Sequence, residues 1–178
     1  MSVFDHPEFD NHEHVAFYHD EKAGLSAIIA VHNTNLGPAL GGCRMWPYSS
    51  EYEALDDVLR LSRGMTYKNA MAGLPAGGGK AVIVANEARS KSPEMLIAFA
   101  RAVDQLGGRY VTAQDVGMTE ADMVALSKVT NHVAGLPDQG GDPGPYTARG
   151  IYLGVKAAAK RALGATDMKG VRVAIQGV

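Results

Sequence analysis

The chain has 178 residues, 46% of them hydrophobic, with 17 Lys+Arg against 19 Asp+Glu for a net charge of −2. That is enough for one well-filled domain plus a little more, and a near-neutral balance with no Lys/Arg cluster excludes the electrostatic footprint of a DNA- or RNA-binding protein. No apolar run reaches the ~18 residues of a membrane span, and MSVFDHPEF has neither the basic lead nor the apolar core of a signal peptide, so a soluble, cytoplasmic protein without membrane contact is expected.

In chain order, His14–His19 and Leu25–His32 read as paired strands around an Asp20–Gly24 hairpin turn. The His12-Glu13-His14 triplet is not a metal site, because neighbouring strand positions face opposite ways, and a solvated terminal segment is expected there. Gly42–Trp46 is a third strand. The single cysteine, Cys43, has apolar neighbours, so it reads as a core residue and not as a nucleophile. Ser49 and Ser50 precede a helix from Glu51 to about Lys68. Lys80–Val84 is a strand, Pro93 to about Gln105 a helix, Tyr110–Ala113 a strand and Thr119–Lys128 a helix with Asp122 in its first turn. This rhythm predicts an α/β fold, a mixed β-sheet with flanking helices. Gly135–Pro145 must be loop, Thr147 to about Leu163 an alanine-rich helix, and Val171–Val178 an apolar strand running into Gly177. A strand followed by one glycine is how a dinucleotide-binding unit begins, but one glycine is a weak signal.

The candidate chemistry centres on Gly64–Lys80, GMTYKNAMAGLPAGGGK, which sets Lys68 and Lys80 twelve residues apart. Val58, Leu61, Met65 and Lys68 recur at helical spacing, so Lys68 is expected to face inward from an apolar stripe. Gly77-Gly78-Gly79 reads as a loop that lets a ligand approach Lys80 closely. The run is not a phosphate-binding P-loop, since that pattern requires glycine at position 74 and Ser or Thr at 81, where Leu74 and Ala81 stand. Asp115 closes the strand of YVTAQDVG, either as a ligand-facing carboxylate at a strand end or as a turn cap. Burial lowers a lysine's pKa towards general-base work, while a second lysine can stay charged to bind a carboxylate.

Four stretches, LGPALGGCRMW, MTYKNAMAGLPAGGGKAVI, YVTAQDVGMTEADM and PGPYTARGIYLGVKAAAK, occur in an order that closely resembles the amino-acid dehydrogenases acting on glutamate, leucine, phenylalanine and valine, the leucine dehydrogenases most of all. The resemblance implies an N-terminal substrate-binding and assembly domain, residues 1–146, followed by a connecting helix and the first strand of a Rossmann domain, residues 147–178. It implies reversible NAD-dependent deamination of an L-amino acid to a 2-oxo acid and ammonia by a homo-oligomer. Residue by residue, it implies that Lys68 binds the substrate α-carboxylate, Lys80 activates water and Asp115 moves the proton on the amine. Leu40, Gly41, Met65 and Ala113 would lie against the substrate, Leu40 and Ala113 favouring a branched aliphatic side chain, and Thr147 and Gly177 would meet the cofactor. The stretch is expected to be inactive alone. Phenylalanine or valine as substrate, and a stand-alone binding or oligomerisation module, remain the alternatives.

Overall fold

The predicted hairpin forms: β1 (His14–Asp20) and β2 (Leu25–Asn33) pair antiparallel from His14↔Val31 to Asp20↔Leu25. The turn is held by the Asp20 carboxylate, which accepts from Ala23 N at 3.0 Å, and by Gly24 at φ +67°. β3 (Ala39–Trp46), α1 (Glu51–Met71), β4 (Gly77–Val84), α2 (Pro93–Gln105), β5 (Tyr110–Gln114) and α3 (Glu120–Ser127) follow. These form a five-stranded mixed sheet of order β1-β2-β4-β3-β5, flanked by helices as the alternation predicted. β3 runs parallel to both β4 and β5, and β4 antiparallel to β2. Parallel neighbours need a crossover, and α1 supplies the one from β3 to β4. The structure is a computed structural model that describes residues 2–85 and 90–176. They divide into two units, Met1–Gly141 and Asp142–Val178.

Side chains alternate across the sheet, and the two faces bury different cores. Cys43, Ala81 and Ile83 point to the face covered by Met95, Phe99 and Val103 of α2 and Met123 and Leu126 of α3. Ile28, Ala30 and Val82 point to the other face, against Ala54, Val58 and Leu59 of α1. Cys43 is fully buried, and burial pushes its thiol pKa well up, which suits a core residue. The starts of α1, α2 and α3 are capped where the sequence indicated. Ser50 accepts from Glu53 N at 3.1 Å, Ser92 from Met95 N at 3.1 Å ahead of Pro93, and Thr119 and Asp122 form a reciprocal capping box.

Three expectations for the first unit need correcting. The buried stripe of α1 is Ala54, Asp57, Val58, Leu59, Ser62 and Asn69, so Lys68 is exposed and Leu61 and Met65 are half-buried. Hydrophobic periodicity missed this because polar residues can face inward once bonded. Ser62 donates to Leu59 O at 2.9 Å, and Asn69 donates to Leu40 O and Gly77 O at 3.2 and 2.6 Å. His12 is buried, not solvated: its Nε2 lies 3.0 Å from both Leu59 O and Ser62 Oγ, and burial lowers its pKa. The glycines of GGGK are strand residues of β4, not loop. Cβ atoms there would collide with Asn33 O, the Thr66 backbone and the Tyr110 ring, so protein atoms fill the space that a ligand was expected to use.

The second unit contains α4 (Gly144–Leu163), which starts three residues before the predicted Thr147 and ends at Gly164 in the left-handed conformation, φ +66°. A short 3-10 turn, Pro137–Gln139, interrupts the predicted loop before it. Val171–Gln176 shows no strand, contrary to expectation; the second unit has, among its described residues, no strand to offer this backbone a ladder. Gly177 lies outside the described residues. Among the described residues, no helix is long and apolar enough to cross a membrane.

Candidate active site

Lys80 and Asp115 are brought together by the pleat and by one glycine. On β4, Lys80 shares the α1-facing side with Val82, and it is 4% exposed. Its register partners are Ala30 on β2 and, one strand further into the sheet, the Gly42 position of β3, which in turn pairs with Ala113 of β5. Asp115 follows the end of β5. β3 therefore stands between the two residues, and strands lie about 4.8 Å apart. A side chain at position 42 would occupy that gap, since its Cβ would come within 2.8 Å of Asp115 Cβ. With glycine there, the Lys80 ammonium reaches across and donates to Asp115 Oδ2. Sequence reading missed Gly42, whose only signal was its place beside Gly41.

Asp115 is further held by two donors on Oδ1, Val116 N at 2.6 Å and Arg44 Nε at 3.2 Å. Burial by itself would raise its pKa, but Lys80, the Val116 amide and Arg44 outweigh burial and hold the carboxyl below its ordinary value. Asp115 is thus a bonded, partly buried carboxylate facing a buried lysine, and not merely a turn cap. The resting pair is an ammonium and a carboxylate, which gives the site one proton donor and one proton acceptor.

The other candidates lie around this pair unevenly. Leu40 is half-buried on β3, with its carbonyl taken by Asn69, and Ala113 is half-buried on β5; alternation places both on the Lys80 face. Gly41 is buried because β4 crowds it: a Cβ there would collide with Gly79 O and come within 3.3 Å of Met65 Cγ. Met65 therefore sits over β3, and Lys68 follows it by three residues, on the next turn of the same side of α1. The Lys68 ammonium is exposed and, among the described residues, makes no hydrogen bond or ion pair. Thr147 is an exposed residue of α4 in the second unit.

Two carboxylates give the first unit a pH dependence. Burial would raise the Asp122 pKa, but Lys91 and the Thr119 cap lower it on balance, as Lys80 and Val116 do for Asp115. Depressed folded-state values contribute stability that is fully present above the unfolded aspartate value, about 4, and is lost as pH falls through the folded one. Urea midpoints measured from pH 7 down to 3 are expected to drop below about pH 4. The drop should be shallower in Asp122→Asn, and equal slopes in both proteins would remove Asp122 from the account.

Residues 12–132 match the Glu/Leu/Phe/Val dehydrogenase dimerisation domain. The chain belongs to the Glu/Leu/Phe/Val dehydrogenase family. It is 53% identical to the leucine dehydrogenase of Geobacillus stearothermophilus over 181 aligned positions, covering 100% of this chain and 49% of that protein. Among solved structures, it resembles the L-tryptophan dehydrogenase of Nostoc punctiforme, with TM-score 0.69 and 46% identity over 89% of this chain and 45% of the other. It also resembles the hetero-hexameric glutamate dehydrogenase of Thermus thermophilus in its Leu-bound form, with TM-score 0.68 and 25% identity over 86% and 40% of the two chains. The chain spans about half the length of the curated relatives it matches.

Proposed function

We propose that the protein carrying this chain catalyses the reversible oxidative deamination of an L-amino acid to its 2-oxo acid and ammonia, with NAD as hydride acceptor and a branched aliphatic amino acid as preferred substrate. The observation that carries this reading is the buried Lys80 bonded to Asp115 across Gly42, on the scaffold of a dehydrogenase family. Residues 1–146 would serve as the substrate and assembly domain, and 147–178 would lead into the cofactor domain. A homo-oligomer is the fitting assembly, since the matched family domain is a dimerisation domain.

The chemistry follows from the charges. Lys68, exposed and unpaired among the described residues, supplies a full cation for the substrate α-carboxylate. Asp115 accepts the proton that the α-ammonium must lose before its carbon can give up a hydride. The iminium left on the substrate is cationic, and like-charge repulsion from it favours loss of the Lys80 proton to solvent, the one proton that the overall reaction releases, leaving the neutral amine. That form takes a proton from water as the oxygen attacks the iminium carbon. The proton on Asp115 then goes to the amine, which departs as ammonia and takes the proton of the new hydroxyl as the carbonyl forms, leaving the oxo acid and ammonium with Asp115 again a carboxylate. Accepting the hydride is the chemistry that NAD supplies. The described residues contain no glycine-rich dinucleotide turn, Thr147 is exposed and Val171–Gln176 forms no strand, so this stretch does not fit NAD by itself and is expected to be inactive alone.

Leu40 and Ala113 give the Lys80 face an apolar lining, and the 53% identity to a leucine dehydrogenase points the same way. The second reading is a bulkier aromatic substrate, supported by the 46% identity to an L-tryptophan dehydrogenase. The full-length protein should be assayed with NAD and with NADP on leucine, isoleucine, valine, phenylalanine, tryptophan and glutamate. The highest kcat/KM is expected on leucine with NAD; a preference for an aromatic amino acid selects the second reading, and no turnover on any of the six rejects both.

A further inference from the structure

Asp115 is held at both oxygens, and one of its holders is itself braced from behind. Lys80 takes Oδ2, while Arg44 Nε takes Oδ1 at 3.2 Å. The far side of the same guanidinium donates through Nη1 to Asp57 Oδ2 at 2.8 Å, an oxygen that also accepts the Tyr48 hydroxyl at 2.8 Å. Arg60 Nη2 donates to the other Asp57 oxygen at 3.2 Å. Asp57 is 8% exposed on the buried stripe of α1, so this bracing is anchored in the helix. The network lines one side of a cleft of about 370 Å³ that opens beside Val116.

On the deaminase reading above, we infer that Arg44 is a positioning residue for the reaction: braced by Asp57 and Tyr48, its guanidinium fixes the Asp115 carboxylate so that one oxygen stays aimed at Lys80 and the substrate amine. The terminal torsion of an aspartate is soft, and a proton acceptor must lie about 2.6–3.2 Å from its donor, so an unheld carboxylate would spend much of its time misaligned. A planar guanidinium presents donors on two edges at a fixed angle, and Arg44 uses one edge for Asp115 and the other for Asp57. A lysine ammonium could supply the charge, but with all its donors on one nitrogen it could not bridge the two carboxylates at the fixed spacing of Nε and Nη1. The charged groups gathered here are Lys80 from β4, Arg44 from β3, and Asp57 and Arg60 from α1, with Tyr48 on the loop between them. Asp57 draws part of the Arg44 charge away from Asp115, which keeps the carboxylate able to accept a proton.

The test compares Arg44→Gln, Arg44→Lys and Asp57→Asn with wild type in the full-length protein. The expected result is a fall in kcat of about 10- to 100-fold for Arg44→Gln with KM changed less than about 3-fold, as misalignment predicts. Arg44→Lys should restore only part of the loss, and Asp57→Asn should show a smaller one. Carboxyl carbon-13 NMR of Asp115 supplies a readout independent of turnover. Its titration midpoint should rise in Arg44→Gln, where a neighbouring cation is lost, and the acid limb of the pH–rate profile should move up with it. Wild-type kcat together with an unmoved Asp115 midpoint in Arg44→Gln overturns the inference and leaves the deaminase reading standing. A wild-type protein that turns over no amino acid rejects the deaminase reading, and with it a role for Arg44 in that reaction. Should Arg44→Gln not fold, Arg44→Lys carries the same two readouts, with full kcat and an unmoved midpoint as the contrary result.

Discussion

Replacing Lys80 with alanine in the full-length protein is expected to lower kcat by about 100- to 10,000-fold, the usual contribution of a positioned acid–base group. The fold should survive, because Lys80 sits mid-strand in β4, whose backbone ladders to β2 and β3 do not depend on the side chain. Asp115 keeps two of its three partners, Arg44 and the Val116 amide. Its pKa should rise from its depressed value as the nearest cation disappears. Lys80→Arg separates charge from chemistry: a guanidinium can pair with Asp115 but cannot be deprotonated near neutral pH. It should therefore be as inactive as the alanine variant. Substantial turnover by Lys80→Arg, measured under single-turnover conditions with leucine, would show that Lys80 acts only as a charge and not as the base.

Phe99→Ala should do the reverse, removing stability while sparing the chemistry. The ring is fully buried on the face of the sheet opposite Lys80, among Met95, Val103, Ala81 and Ile83. Truncating a buried phenylalanine costs about 3–5 kcal/mol, the lost transfer energy plus the cavity left behind. In a chain of this size that corresponds to a fall in melting temperature of roughly 10 °C. In the full-length protein well below its transition, kcat on leucine should stay within about 3-fold of wild type, since the sheet separates the cavity from the Lys80–Asp115 pair. A urea titration showing less than about 1 kcal/mol of destabilisation would mean that the α2 face of the sheet repacks around the void.

The elements themselves were legible because each is signalled locally. Asp20 to Gly24 mark the hairpin, Ser50, Ser92 and Thr119 mark the helix starts, and β-branched runs mark β2 and β4. The candidate residues were legible for a different reason: Lys80 and Asp115 are charged groups in apolar runs, where a charge needs a partner. That the partner of each is the other was not legible. They lie 35 positions apart, and the contact crosses an intervening strand.

Local chemistry in the sequence determined the mixed α/β architecture, the caps and the presence of buried titratable groups, because turn geometry, capping and hydropathy act over a few residues. Tertiary structure decided the rest. It rotated the buried stripe of α1 onto Ser62 and Asn69 and left Lys68 outside, because Asn69 finds partners on the sheet and Ser62 bonds His12 of the N-terminal segment as well as Leu59 O of its own helix. It used Gly77–Gly79 for close packing, and Gly42 for passage between Lys80 and Asp115. It also placed Arg44 between two carboxylates drawn from distant elements. Such pairings depend on strand order and register, which long-range packing sets and which no short window of sequence contains.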